Sequence, residues 1–233
     1  MTTPWKRRLR WVARIAVAVV LAGALYVGWD QATFNFGELQ PGRIYRSGQM
    51  PAAALRRTLR EYGIRTVLNL RGTNEASWYT DERAATLASG ATQIDVAMSS
   101  CIWMSRAQLR KVIETLDTAE YPILIHCQWG SERTGLISAF AELLRPGSTL
   151  EDARAQFSIR YLFVRLKDGK IMAEHLDQYE RWLGEHGWKH EPARFRQWVA
   201  EGFRPSIPGR EQWPFDPYPL VVISRPDSST ARR

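Results

Sequence analysis

A single stretch, Pro122 to Gly135 (PILIHCQWGSERTG), constrains this chain more than any other. The apolar run Ile123-Leu124-Ile125 reads as a buried strand. It delivers His126 and Cys127 into a tight loop holding Gly130, and Thr134-Gly135-Leu136-Ile137 then opens an apolar-periodic helix. Strand, tight loop and helix N-terminus together build an anion cradle, because loop N–H groups and the first helical turn point inward. A thiol in such a cradle ionises easily, since the positive helix end and a guanidinium both favour the thiolate. Arg133 adds a planar fork able to hold two phosphate oxygens at once, which a lysine cannot do in the same way. Residue types and spacing describe a nucleophilic sulfur beneath a phosphate-shaped cup.

The same residues match the pattern HC-x5-R-[S/T], whose pieces fall on His126, Cys127, Gly130, Arg133 and Thr134. In this the chain resembles the cysteine-dependent protein tyrosine phosphatase superfamily, and most of all the small dual-specificity-like phosphatases of bacteria. The likeness extends through Ile44 to Gln49 (IYRSGQ), Thr66 to Gly72 (TVLNLRG) and the helices after the loop. The resemblance implies hydrolysis of phosphate monoesters through a cysteinyl-phosphate, with no metal and no other cofactor. Cys127 would be the nucleophile, and Arg133 would clamp the equatorial oxygens. Thr134 would donate to the sulfur as it leaves, and His126 would organise the loop and help set the thiol pKa. Gln128, Trp129, Gly130 and Ser131 would offer loop amides to the phosphate, with Gly130 allowing the curvature. Trp129, large for such a loop, either walls the pocket or packs beneath a neighbouring loop. The implied substrate is phosphorylated protein, phosphotyrosine with dual specificity. A phospholipid or phosphoinositide-like phosphatase is the alternative, and an inactive phosphate-binding pseudophosphatase is the reading from a different class.

The proton donor is less legible. The family usually brings an aspartate on a separate loop well ahead of the cysteine, and Asp95 lies 32 residues before Cys127. However, Ile94, Val96 and Met98 alternate around it as a strand. The loop that follows, Ser99-Ser100-Cys101, has no carboxylate, and Asp81 and Glu82 fall on a predicted helix. Glu132, immediately before Arg133, is the second candidate, able to protonate the leaving oxygen or position the hydrolytic water. Arg46 and Arg71 close strands near the expected pocket edge, as surface arginines, as partners of a carboxylate such as Glu75, or as contacts to a second phosphate. Two cysteines do not make a disulfide scaffold. Cys101, on a loop facing the cradle, is expected to be unpaired, with a Cys101–Cys127 disulfide as a redox alternative.

The amino terminus reads as a membrane segment. Residues 1–11 are basic, and 12–29 are apolar except for Arg14, which can snorkel to the interface. Trp11 and Trp29 sit at its ends, where amphipathic rings favour the headgroup zone. An uncleaved signal anchor is favoured over a cleavable signal peptide, because no clean small-x-small site follows the apolar run. Either places the basic end in the cytoplasm and the rest outside it, the periplasmic side of a bacterial inner membrane. Five of the eight net positive charges lie in this segment (Lys6, Arg7, Arg8, Arg10, Arg14), so the remaining chain carries only +3. That balance, with no basic-aromatic tract, excludes a nucleic-acid partner.

Along the remaining chain strands and helices alternate, which predicts an α/β fold: one tyrosine-phosphatase-like domain with a central, mostly parallel sheet flanked by helices. Strands are expected at Arg43–Arg46, Ile64–Leu70, Ala91–Met98 and before Cys127. Helices are expected at Ala52–Tyr62, Trp78–Ser89, Arg106–Ala119 and Met172–Leu183, with a turn at Lys167–Lys170. The catalytic domain spans 34–190, and 191–233 is an extension with a short helix near Arg194–Ala200, a proline- and aromatic-rich stretch to Pro219 and a disordered tail from Asp227.

Overall fold

Strand segments such as TVLN and ILIH are buried at every position, which only a sheet covered on both faces can achieve. A computed structural model, which describes residues 4–166, 168–205 and 221–226, shows that sheet. In chain order the elements are α1 (Pro4–Ala32), β1 (Gly37–Gln40), β2 (Ile44–Ser47), α2 (Ala52–Glu61), β3 (Thr66–Asn69), α3 (Ser77–Ala88) and β4 (Thr92–Val96). There follow α4 (Arg106–Thr118), β5 (Ile123–His126), α5 (Glu132–Leu143), α6 (Leu150–Arg154), α7 (Asp168–Glu185), α8 (Pro192–Gln197) and β6 (Val221–Ser224). The six strands lie in the order β1-β2-β5-β3-β4-β6. β2, β5, β3 and β4 run parallel, and the edge strands β1 and β6 are antiparallel.

Strand periodicity sorts the side chains between two cores. Tyr45, Val67 and Leu124 point to one face, where they meet Leu55 and Leu59 of α2 and Ala85 of α3. Ile44, Leu68, Ile94, Ile123 and Ile125 point to the other, against α4, α5, α7 and α8. α4 starts on a capping box between Ser105 and Gln108, and α6 on one between Thr149 and Asp152. α1 stands apart: over its most apolar 18-residue window the mean hydropathy is 1.9 and none of that window is buried. It is long and apolar enough to cross a membrane.

Three expectations need correction. The turn at Lys167–Lys170 is instead the start of α7 from Asp168 onward. A Cβ on Gly169 would come within 2.7 Å of the Val164 carbonyl, so this glycine answers close packing rather than a turn. Second, the extension beyond 190 packs against the domain. Phe195, Trp198, Val199 and Phe203 are buried in the larger core, where Trp198 meets Tyr179 and Phe203, each at 5.3 Å between ring centroids. Third, β6 had no counterpart among the predicted strands, yet it pairs with β4 from Gln93 to Val96. The proline-rich stretch from Ser206 to Pro219 and the tail from Asp227 lie outside the described residues.

Trp198→Ala is expected to cost about 3–5 kcal/mol, the usual penalty for emptying a core aromatic site. A large drop in thermal midpoint is the check, and an unchanged midpoint would make residues 192–203 an appendage.

Candidate active site

Parallel register places Ser47, His126, Asn69 and Asp95 in one row across the carboxyl ends of β2, β5, β3 and β4. β5 lies between β2 and β3, where chain order switches, and the crevice beyond such a point is where open α/β sheets take ligands. Cys127 follows β5 directly, and Ser131 is the residue before α5.

The loop between them is tied down by its carbonyls. Arg46 Nη2 donates to Gly130 O at 2.8 Å, Gln49 N to Gln128 O at 3.1 Å, and Asn35 Nδ2 to Trp129 O at 3.0 Å. With three successive carbonyls held outward, the intervening amides turn toward the cup. Gly130 has φ +73°, and a Cβ there would lie 2.5 Å from Gly48 N, so only glycine fits against the chain leaving β2. Ser131 makes no side-chain capping bond, so the first turn of α5 keeps its N–H groups for the cup.

Cys127 is 1% exposed. Burial alone would raise its pKa, but the Arg133 charge, the Thr134 hydroxyl and the backbone N–H groups of Thr134 and Gly130 outweigh it and hold the thiol below its ordinary value. Arg133 is anchored from behind, its Nη1 donating to Met98 O at 3.2 Å and Leu70 O at 3.4 Å. Its buried Nε has no hydrogen-bond partner, nor has the buried hydroxyl of Ser131. Unsatisfied donors around a depressed thiol fit an oxyanion ligand.

His126 shares a sheet face with Leu124, the face covered by α3, and there its Nε2 lies 3.2 Å from Glu82 Oε1. Burial pulls the imidazole pKa down, but Glu82 reverses this and leaves it raised. Burial would likewise raise Glu82, yet His126 and the Gln93 amide keep it lowered. Each partner thus favours the charged form of the other, and His126 Nδ1 lies 3.3 Å from the Cys127 carbonyl. Sequence reasoning set Glu82 aside; the available signal was its i, i+3, i+4 spacing with Tyr79, Ala85 and Thr86, the buried stripe of α3. Asn35, the other missed residue, has no local signal.

Asp95 is 1% exposed and saturated: Asn69 Nδ2 at 2.8 Å and Gln93 Nε2 at 3.1 Å meet one oxygen, and Tyr79 OH at 2.7 Å meets the other. Burial raises its pKa, and those three hydrogen bonds oppose the rise. It belongs to the polar layer behind the loop, in line with its strand alternation. Glu132 stands half-buried in the first turn of α5 beside Arg133. Thr134 is buried, its hydroxyl near both Cys127 and the Ser47 carbonyl. Trp129 is 57% exposed, so it does not pack beneath a neighbouring loop.

Arg46 is no surface arginine. It is fully buried, donates to Gln156 O, Gln156 Oε1 and Gly130 O, and lies 3.5 Å over the Tyr161 ring, and burial pulls its pKa down to about 10. Arg71 remains at the edge, stacked 3.5 Å over Trp78 and bonded to Gln49, its pKa lowered by burial and by nearby Arg133. Cys101 is exposed and both thiols are free. The described residues contain no group of three or more His, Cys, Asp or Glu placed to hold a metal.

Residues 30–145 match the tyrosine phosphatase family. Among solved structures, TpbA of P. aeruginosa is similar at 19% identity and a TM-score of 0.50, over 63% of this chain and 88% of that one. The core catalytic domain of the PP-IP phosphatase SIW14 from S. cerevisiae, in complex with citrate, is similar at 23% identity and a TM-score of 0.49, over 66% and 93%. No curated protein sequence matches. At 19% identity the likeness to TpbA speaks to the fold alone.

The electrostatics set a titration. Thiolate absorbance of the wild type minus that of Cys127→Ser should rise below the ordinary thiol range, and Arg133→Met should move that rise to higher pH. A rise at ordinary thiol pH in the wild type would refute the balance described above.

Proposed function

The chain belongs to the cysteine-dependent tyrosine phosphatase superfamily, and we propose that it hydrolyses phosphate monoesters on phosphorylated protein, as a tyrosine or dual-specificity phosphatase. The observation that carries this is Cys127, its pKa lowered, at the base of a loop whose Gln128, Trp129 and Gly130 carbonyls are bonded outward.

In the proposed reaction the Cys127 thiolate attacks phosphorus in line, and the P–O bond to the leaving group breaks as the S–P bond forms. The Arg133 fork and the amides from Gln128 to Ser131 take the equatorial oxygens, whose charge they stabilise without reorganising. Glu132 gives its proton to the departing oxygen, then takes one from the water that cleaves the S–P bond. Inorganic phosphate leaves and Thr134 donates to the restored thiolate. His126, held by Glu82, positions the loop. Asp95 is assigned to the layer beneath, because its oxygens are engaged and shielded.

We further propose that α1 is an uncleaved signal anchor with the catalytic domain on the periplasmic side. Its 28 apolar-rich residues from Trp5 give a helix of about 42 Å, longer than the roughly 30 Å hydrocarbon core. The basic residues Lys6, Arg7, Arg8 and Arg10 precede the apolar run, as the positive-inside bias requires. The anchor favours a second reading for the substrate, a phospholipid headgroup, which competes with phosphoprotein in any panel of substrates.

The reduced full chain in detergent should hydrolyse p-nitrophenyl phosphate, with turnover insensitive to chelator. Cys127→Ser should abolish it, and Arg133→Lys should lower kcat by about 10²–10³-fold, the loss typical of a preorganised oxyanion donor. Tight phosphate-ester binding without turnover would leave a pseudophosphatase.

The pH–rate profile separates the carboxylates. A general acid must be protonated, so activity falls as pH rises through its pKa. Glu132→Gln should lose that falling limb while Asp95→Asn keeps it, and the reverse pattern would restore Asp95 as the acid.

A further inference from the structure

Outside α1, five large apolar side chains stand exposed among the described residues: Trp129, Ile159, Val164, Leu166 and Ile223. Ile223 lies alone on β6, at the sheet edge opposite β1. The other four belong to the catalytic loop and to the segment between α6 and α7, and Asn35 joins the two by donating to both Trp129 O, at 3.0 Å, and Tyr161 O, at 3.1 Å.

That place is the foot of α1. Tyr26 OH donates to Arg160 O at 2.8 Å, the Arg160 guanidinium lies 5.3 Å from the Trp29 ring centroid, and its Nη1 is 3.7 Å from Asp30 Oδ1. No spacer separates helix from domain: Phe34 O accepts from Gly48 N at 2.7 Å, and Gly48 abuts the backbone of Gln128 and Trp129. Tyr26 sits about 4.5 Å back along the axis from Trp29, at 1.5 Å per residue. The segment bonded to Tyr26 therefore lies level with, or inside, the aromatic end of the apolar run.

Large exposed apolar side chains gathered on two joined segments mark an interaction surface. Here its occupant follows from position: a helix that spans a bilayer brings this surface to the headgroup boundary, where Trp, Tyr and aliphatic side chains are stable together. We infer that Trp129, Ile159, Val164 and Leu166 form a docking surface for the interfacial zone of a phospholipid bilayer, so that the catalytic cup opens at the membrane surface. This rests on the reading of α1 as a membrane span.

The test uses the full chain, carrying Cys101→Ser and Cys127→Ser, in phosphatidylethanolamine–phosphatidylglycerol vesicles. Single cysteines from Ile159→Cys, Leu166→Cys, Ile223→Cys and Val19→Cys carry an environment-sensitive fluorophore, with nitroxide-bearing lipid or aqueous iodide as quencher. Reporters at 159 and 166 should lose emission to the nitroxide lipid and resist iodide, while the one at 223 should do the opposite. Lipid quenching at 19 but not at 159 or 166 would overturn the docking surface and leave the anchor. Absence of lipid quenching at 19 would overturn the anchor reading and the docking surface with it. Protection of 159 and 166 from both quenchers would mean that protein, such as a second copy, covers them, and would also refute the bilayer assignment.

Discussion

The site depends on a guanidinium with no access to water. Arg46 lies on the sheet face opposite His126, and an unpaired charge there would cost several kcal/mol. It is stabilised by two acceptors on Gln156, by the Tyr161 ring and by Gly130 O. That last bond couples the charge to the Cys127 loop. As long as Arg46 is buried it needs the Gly130 carbonyl, and as long as that carbonyl is held outward the neighbouring amides face the cup. The loop's shape is thus enforced by the penalty for leaving Arg46 unsatisfied, not by loop sequence alone.

The opposite sheet face carries a second polar layer. Glu82, Gln93, Asp95, Asn69 and Tyr79 form a connected set behind His126, with nearly every polar atom engaged. Gln93 Oε1 is left without a partner, but a connected network of this kind is still rigid, because each partner's loss leaves another buried group bare. Two buried structures, one on each face, therefore fix the loop at its two ends, Gly130 and His126. Between them Cys127 stays buried yet ionisable, since the donors that favour the thiolate are held in place before a substrate arrives.

Legibility in the sequence followed the range of the forces involved. The strand–loop–helix unit, the α2, α3 and α4 helices and the parallel strands were readable because periodicity and end signals are local. Asp95 alternates as a strand residue in the sequence, and its burial follows from that alternation. Glu82 is hard to read from the sequence because a carboxylate on a helix normally faces water. Its membership of the buried stripe with Tyr79 and Thr86 told otherwise. The C-terminal helix and β6 were underestimated, because short segments depend on the partners they pack against: β4 for β6, and Tyr179 for Phe195 and Trp198.

The sequence by itself determined the chemistry: a cysteine, a glycine and an arginine spaced between a strand and a helix, behind an apolar, basic-flanked amino terminus. These features are short-range, and residues within one turn of each other carry their geometry with them. Only the tertiary structure decided that Arg46 is a buried strut, that Glu82 holds His126, and that Asn35, at the foot of α1, grips the Cys127 loop. Each of those contacts joins residues far apart in the chain. Their existence depends on strand order and on the cost of burying charge, quantities that no local stretch contains.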